Sequence, residues 1–213
     1  MKIAVIHASS VKDKNSILFE CVTKAAESHG HEVINLGVYP EENVSVSYVQ
    51  TAFLISLLLE SKAVDFVVTG CSSGQGMMLA CNSLPGVLCG YTATPADAYL
   101  FGRINDGNAV SYPLGLNFGW AGEINLQSTM NSLFSEPFGI GYPAEDALRK
   151  QKDTQILKGI NTVTKKTMLE ILPSLDHEFV SSSLQKRENV YDFILSHGTN
   201  EKLIQLLSTF RVC

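Results

Sequence analysis

Up to about residue 143, short apolar runs alternate with stretches whose apolar positions recur every three or four residues. An apolar run bounded by turn signals predicts a buried strand, and a 3.6-residue period predicts a helix. Strands are expected over residues 2–6, 32–36, 64–69, 86–90 and 109–112, and helices over 17–28, 47–60, 77–82, 94–105 and 123–134. Ile17, Leu18, Cys21, Val22 and Ala25 share one helical face, which His29-Gly30 closes. Thr94 suits an N-cap, with Pro95 at the first helical position. Strict alternation of strand and helix predicts an α/β fold, a five-stranded parallel sheet with helices on both faces.

The pattern then changes. Pro137-Phe138-Gly139-Ile140-Gly141-Tyr142-Pro143 marks a break. Beyond it no strand is expected. One long helix is predicted over residues 145–172, stopped by Pro173, followed by two or three shorter helices. The chain therefore divides into an α/β unit over 1–143 and a helical extension over 144–213. The extension is expected to pack on the core or on a second copy of the chain.

Composition narrows the class. Hydrophobic residues make up 45% and charged residues 17%, which excludes disorder. A net charge of −5 provides no basic stripe for a nucleic acid, though a small phosphorylated ligand needs only a few local donors. No apolar run is long enough to span a membrane, and residues 1–6 are too short for a signal-peptide core. The five cysteines (Cys21, Cys71, Cys81, Cys89 and Cys213) are scattered, with no CxxC pair. Free thiols in a reducing cytoplasm are the simplest expectation, and no Cys/His spacing suits zinc.

The candidate chemistry concentrates in Phe66-Val67-Val68-Thr69-Gly70-Cys71-Ser72-Ser73-Gly74-Gln75-Gly76-Met77. Cys71 falls at the carboxyl end of a strand, where open α/β sheets bind their ligands. The thiol suits a base or a nucleophile, and a packed free cysteine is the competing reading. Ser72, Ser73, Gly74 and Gly76 suit an oxyanion or phosphate cradle, against an ordinary polar turn. His7 ends the first strand on the same sheet edge, with Ser9 and Ser10 after it, so a His–thiol couple is one reading and a solvated loop histidine the other. Asn105 and Asn108 suit either turn-forming or polyol-binding roles. Arg149, Lys150 and Lys152 cluster near the predicted long helix, either to grip a phosphate or as a solvated face.

Four stretches together resemble the type B ribose-5-phosphate isomerase and galactose-6-phosphate isomerase family. They are Met1-Lys2-Ile3-Ala4-Val5, the segment His29 to Gly37, Gly70 to Met77 followed by Ala80-Cys81-Asn82, and Asn105-Asp106-Gly107-Asn108. The resemblance implies a Rossmann-like three-layer sandwich and a metal-free, cofactor-free isomerisation of a phosphorylated sugar through a cis-enediolate. It implies Cys71 as base and Ser73 as the neighbouring hydroxyl. Gly74 and Gly76 would line the substrate loop, and Asn105 would bind across the interface of a homodimer, or of a tetramer.

The chain also departs from the family pattern. Ala8-Ser9 stands at the family's Asp-His pair, Ile104 at its ring-opening histidine, and Asn117 at an arginine. The paired phosphate-binding arginines have no clean match, and Arg149 and Lys152 are the substitutes. Groups for proton abstraction are kept and those for ring opening are gone. Three hypotheses follow: a short or acyclic sugar phosphate as substrate, ring opening taken over by His7, or a sugar-phosphate-binding protein that has lost turnover. A hydrolase using Cys71 and His7 is a fourth reading, from a different class.

Overall fold

The structure, a computed structural model, describes residues 1–116 and 118–210. Five parallel strands form one sheet in the order β2-β1-β3-β5-β4: β1 Lys2–Val5, β2 Glu32–Asn35, β3 Phe66–Cys71, β4 Cys89–Tyr91 and β5 Ala109–Pro113. Alternate strand residues face opposite layers, as the two-residue period requires. Ile3, Val5, Phe66, Val68 and Val110 face α1 (Asn15–Glu27), α4 (Pro95–Leu100) and α5 (Gly122–Phe134). Ala4, Ile6, Val67 and Cys71 share the opposite core with α2 (Tyr48–Glu60) and α3 (Gln75–Asn82).

Helix α2 explains the placement of the C-terminal helices. Every residue from Gln50 to Leu58 is buried. A helix apolar all round needs cover on both sides. The sheet covers one side. The other is covered by α7 (Met168–Ile171), α8 (His177–Lys186) and α9 (Glu188–His197), with α10 (Glu201–Ser208) behind them. Met168, Leu172, Val180, Leu184, Val190 and Ile194 join Phe53, Leu54 and Leu57 in one apolar cluster. Each such fully buried side chain contributes roughly 1.5–3 kcal/mol. The polar groups of α2 are satisfied locally: Ser56 Oγ donates to the Pro85 carbonyl at 2.7 Å, and Ser47 and Gln50 form a reciprocal capping box.

Three elements differ from the sequence expectation. The predicted helix over 145–172 is broken: α6 (Ala147–Thr164) ends where Lys165 turns extended (φ −110°, ψ 140°). Lys165 Nζ donates to the carbonyls of Leu84 and Val87, and Thr167 with Glu170 caps α7 as a new start. The helix predicted over 94–105 is α-helical only to Leu100. Phe101–Asn105 winds on as a π-turn until Asp106 adopts a left-handed conformation (φ 47°). The strand predicted over 86–90 is shorter, because Gly86 is in a left-handed turn (φ 69°) and pairing begins at Cys89. No helix among the described residues is long and apolar enough to cross a membrane.

Candidate active site

The chain leaves β1 for β2 on one side, while β3 lies on the other. The carboxyl ends of β1 and β3 therefore flank a crevice, the topological switch point where open sheets bind ligands. A cavity of about 710 Å3 opens there. Ala8, Ser9, Ser10 and Lys12 line it from the loop after β1. Cys71, Ser72, Ser73 and Gly76 line it from the loop after β3, and the segment Val44 to Tyr48 closes it where α2 begins.

Register places Cys71 as the last residue of β3, opposite Pro113 of β5, two residues beyond the expected strand end. The thiol is 8% exposed and faces the cavity. The loop after it is held by its carbonyls. Leu114 N–H donates to Cys71 O, Gly115 and Leu116 N–H to Ser72 O, and the buried Ser111 Oγ to Gly74 O at 2.6 Å. Gly74 is left-handed (φ 74°) and serves as N-cap of α3, with no side chain capping that end. The first N–H groups of a helix have no intrahelical partner, and they favour negative charge. At α3 they begin at Gln75, with Gly76 on the cavity wall. A thiol and an uncapped helix start thus meet in one crevice, with the Ser72 and Ser73 hydroxyls exposed between them.

The structure does not bring His7 to this cavity. Its ring is 1% exposed and packs inward, with Nδ1 3.1 Å from Ala8 O and Nε2 3.0 Å from the Asn15 side-chain amide. Asn15 Nδ2 is buried without a partner. With that amide turned so that Nδ2 faces the ring, a neutral His7 carrying its proton on Nδ1 satisfies both contacts. Burial holds this imidazole below its ordinary pKa, and the Arg187 cation acts in the same direction. The Cys71 thiol reaches the cavity and His7 does not, so the expected His–thiol couple is not assembled, and neither is ring opening by His7.

Three other expected binding residues also lie away from Cys71 within this chain. Asn105 is exposed at the end of the π-turn. Arg149 is exposed and pairs with Asp146 at 2.9 Å and Asp153 at 3.3 Å. Lys152 borders a separate cavity beside Asp106 and Gly139. Asn117 and Cys213 lie outside the described residues. Conversely, sequence reading missed Lys12 and the segment Val44 to Tyr48. Lys12 follows β1 on the expected edge, but the cavity wall at 44–46 comes from a loop with no periodic pattern, leading into the start of α2. A further cavity of about 380 Å3 opens at the opposite sheet edge, between Glu60, Asp106 and Lys158. Two of its lysines are answered internally, Lys158 by Asp106 and Lys165 by the carbonyls of Leu84 and Val87.

The sequence pattern described as Ribose/Galactose Isomerase matches residues 3–121. The chain belongs to this family. Among solved structures it is similar to a 4-deoxy-L-threo-5-hexosulose-uronate ketol-isomerase complexed with a tartrate, with 39% identity over 99% of both chains and a TM-score of 0.93. It is similar to a ribose-5-phosphate isomerase from Vibrio parahaemolyticus, with 35% identity over 99% of both chains and a TM-score of 0.90. A ribose 5-phosphate isomerase from Thermotoga maritima aligns over 97% of its own length with 71% of this chain, at 26% identity and a TM-score of 0.53. No curated protein sequence matches the chain. The family makes the protein a sugar isomerase. The Thermotoga protein aligns with only part of the chain, whereas the first two relatives match nearly its whole length.

Proposed function

We propose that the protein is a ketol-isomerase of an open-chain, anionic sugar, with Cys71 as the base. The Cys71 sulfur takes the proton from the carbon next to the substrate carbonyl. The electron pair of that C–H bond forms a C=C bond and the carbonyl π pair moves onto its oxygen, giving an enediolate. The sulfur then returns the proton to the neighbouring carbon, while one proton moves between the two oxygens, so nothing is consumed. The Ser73 hydroxyl and the first N–H groups of α3 stabilise the oxyanion, which is preorganised stabilisation aimed at charge that develops during the reaction. The observation that carries this reading is the thiol beside an uncapped helix start, in a cavity lined by no histidine or carboxylate among the described residues.

An open-chain substrate is supported by Ile104, which stands where the family has its ring-opening histidine and has no proton to move. One full-length relative is named for a uronate and the other for a sugar phosphate, so an anionic sugar fits both. A cysteine hydrolase is disfavoured, because such a thiol needs an adjacent base and His7 is turned elsewhere. The test is turnover in D2O. Solvent deuterium should enter the product at the carbon next to the carbonyl. Cys71→Ala should slow the reaction by about 10²–10⁴-fold, the usual contribution of a general base. Substrate binding with no turnover in the native protein would establish the non-catalytic sugar-binding reading instead.

The site is proposed to be completed in a homodimer, with Asn105 reaching the partner's cavity. Support comes from α6, where Leu148, Ile156, Leu157, Ile160 and Val163 are all exposed and only Thr154 is buried. A helix with that much uncovered apolar surface suits an interface between subunits. Arg149 and Lys152 lie on the same helix, so contact with a phosphorylated substrate would have to be made in the partner's site.

A further inference from the structure

The isomerase reading leaves open what end group the cavity accepts, and the charges around Lys12 address that. Among the described residues that line the cavity, Lys12 carries the single positive charge and no side chain carries a negative one. Six serines (Ser9, Ser10, Ser45, Ser47, Ser72 and Ser73) supply hydroxyls suited to a polyol. Arginine, the residue that forks onto phosphate oxygens, is absent from this lining.

Lys12 is half-buried and has no carboxylate within ion-pairing distance among the described residues. Asp13, next to it in the chain, pairs with Lys14 at 2.7 Å, and Lys12 Nζ donates to the Glu42 carbonyl, not its carboxylate, at 3.1 Å. The Glu42 carboxylate is occupied elsewhere. One oxygen accepts from Tyr39 N–H at 2.7 Å and the other from Arg187 Nη1 at 2.9 Å. Arg187 lies between α8 and α9 and also donates to the carbonyls of Leu36 and Gly37. By taking the Glu42 carboxylate, Arg187 leaves Lys12 anchored but electrically uncompensated at the cavity wall. An ammonium has three N–H donors and one is spent on Glu42 O, so two remain. Two donors and one unit of charge match a carboxylate, whereas a phosphate dianion would keep a charge unanswered.

We propose that Lys12 is the specificity-determining residue of the cavity and that it selects an open-chain sugar bearing a terminal carboxylate. This rests on the isomerase reading for the identity of the cavity. The test uses three six-carbon open-chain probes that differ in one end group: gluconate, glucitol 6-phosphate and glucitol. Each is titrated calorimetrically into the full-length protein and into Lys12→Met, Lys12→Gln and Lys12→Arg.

Gluconate should bind the native protein more tightly than either other probe. Lys12→Met and Lys12→Gln should weaken gluconate by about 10- to 100-fold, the loss of one charge-assisted pair, to the level of glucitol. Lys12→Arg should restore part of that loss. The proposal is overturned if glucitol 6-phosphate binds best, if no probe binds, or if the neutral Lys12 variants bind gluconate as the native protein does. The comparison among probes on the native protein decides even if a variant misfolds. Lys12-dependent gluconate binding without any isomerase turnover would sink the isomerase reading alone. Turnover with Lys12-independent binding would sink this proposal alone.

Discussion

The Arg187 guanidinium meets the Glu42 carboxylate at 2.9 Å across 145 residues of sequence. With its two further bonds to Leu36 O and Gly37 O, this side chain clamps the loop that leads from β2 to the cavity wall. The C-terminal helices therefore bear on the site, although none of their residues lines it.

Arg187→Met should lower stability by about 1–3 kcal/mol, because two carbonyls lose a donor that is 2% exposed, while Glu42, 39% exposed, remains solvated. Urea unfolding measures the loss. Since Lys12 hangs on the Glu42 carbonyl, the variant should also raise the substrate KM more than it lowers kcat. A variant as stable as the native protein would show that the clamp is unimportant.

Gly74→Ala should damage both folding and catalysis. At φ 74° an added Cβ would stand 2.8 Å from the Tyr91 ring and 3.0 Å from Pro113 N, a backbone atom that cannot step aside. The left-handed conformation alone costs roughly 1–2 kcal/mol for a non-glycine residue. Calorimetric melting should show at least that destabilisation, and kcat should fall because the start of α3 is displaced. Unchanged kcat would mean that the α3 N–H groups do not serve the reaction.

His7 predicts a stability slope below neutral pH. Its folded pKa is depressed below the ordinary value of 6.5, so the unfolded chain binds the proton first as pH falls. The contribution is complete above 6.5 and is lost as pH drops from 6.5 towards the folded pKa. Urea midpoints at about pH 7.5 and 5.5 should therefore differ less in His7→Gln than in the native protein. His31, also held low by burial and the N-terminal amine, leaves a residual slope. Equal slopes in both proteins would remove His7 as the cause.

Helix α6 predicts the assembly. Ile156→Asp combined with Ile160→Asp places two charges on its exposed apolar stripe and touches nothing in the subunit core. Light scattering should report a dimer for the native protein and a monomer for the double variant, with turnover lost if Asn105 completes the partner's site. A double variant that remains dimeric moves the interface elsewhere.

Much of this protein was written in local pattern. Alternating apolar runs and helical periods determined five parallel strands and their helices, because each element needs one face buried and displays that face in sequence. The Cys71 loop was legible for the same reason, since a strand followed by Ser-Ser-Gly-Gln-Gly can only turn into a helix at a sheet edge. Lys12 was hidden, because a lysine after a strand has no pattern to mark it and gains meaning only when Arg187 removes its acidic neighbour. His7 misled, because strand position gives the edge but not which way a ring turns, and Asn15 draws it inward. The break at Lys165 depends on carbonyls at Leu84 and Val87, which no local window contains. Sequence determined the elements and the thiol. Tertiary structure decided which charges remain unanswered around that thiol, because compensation depends on partners that only folding brings together.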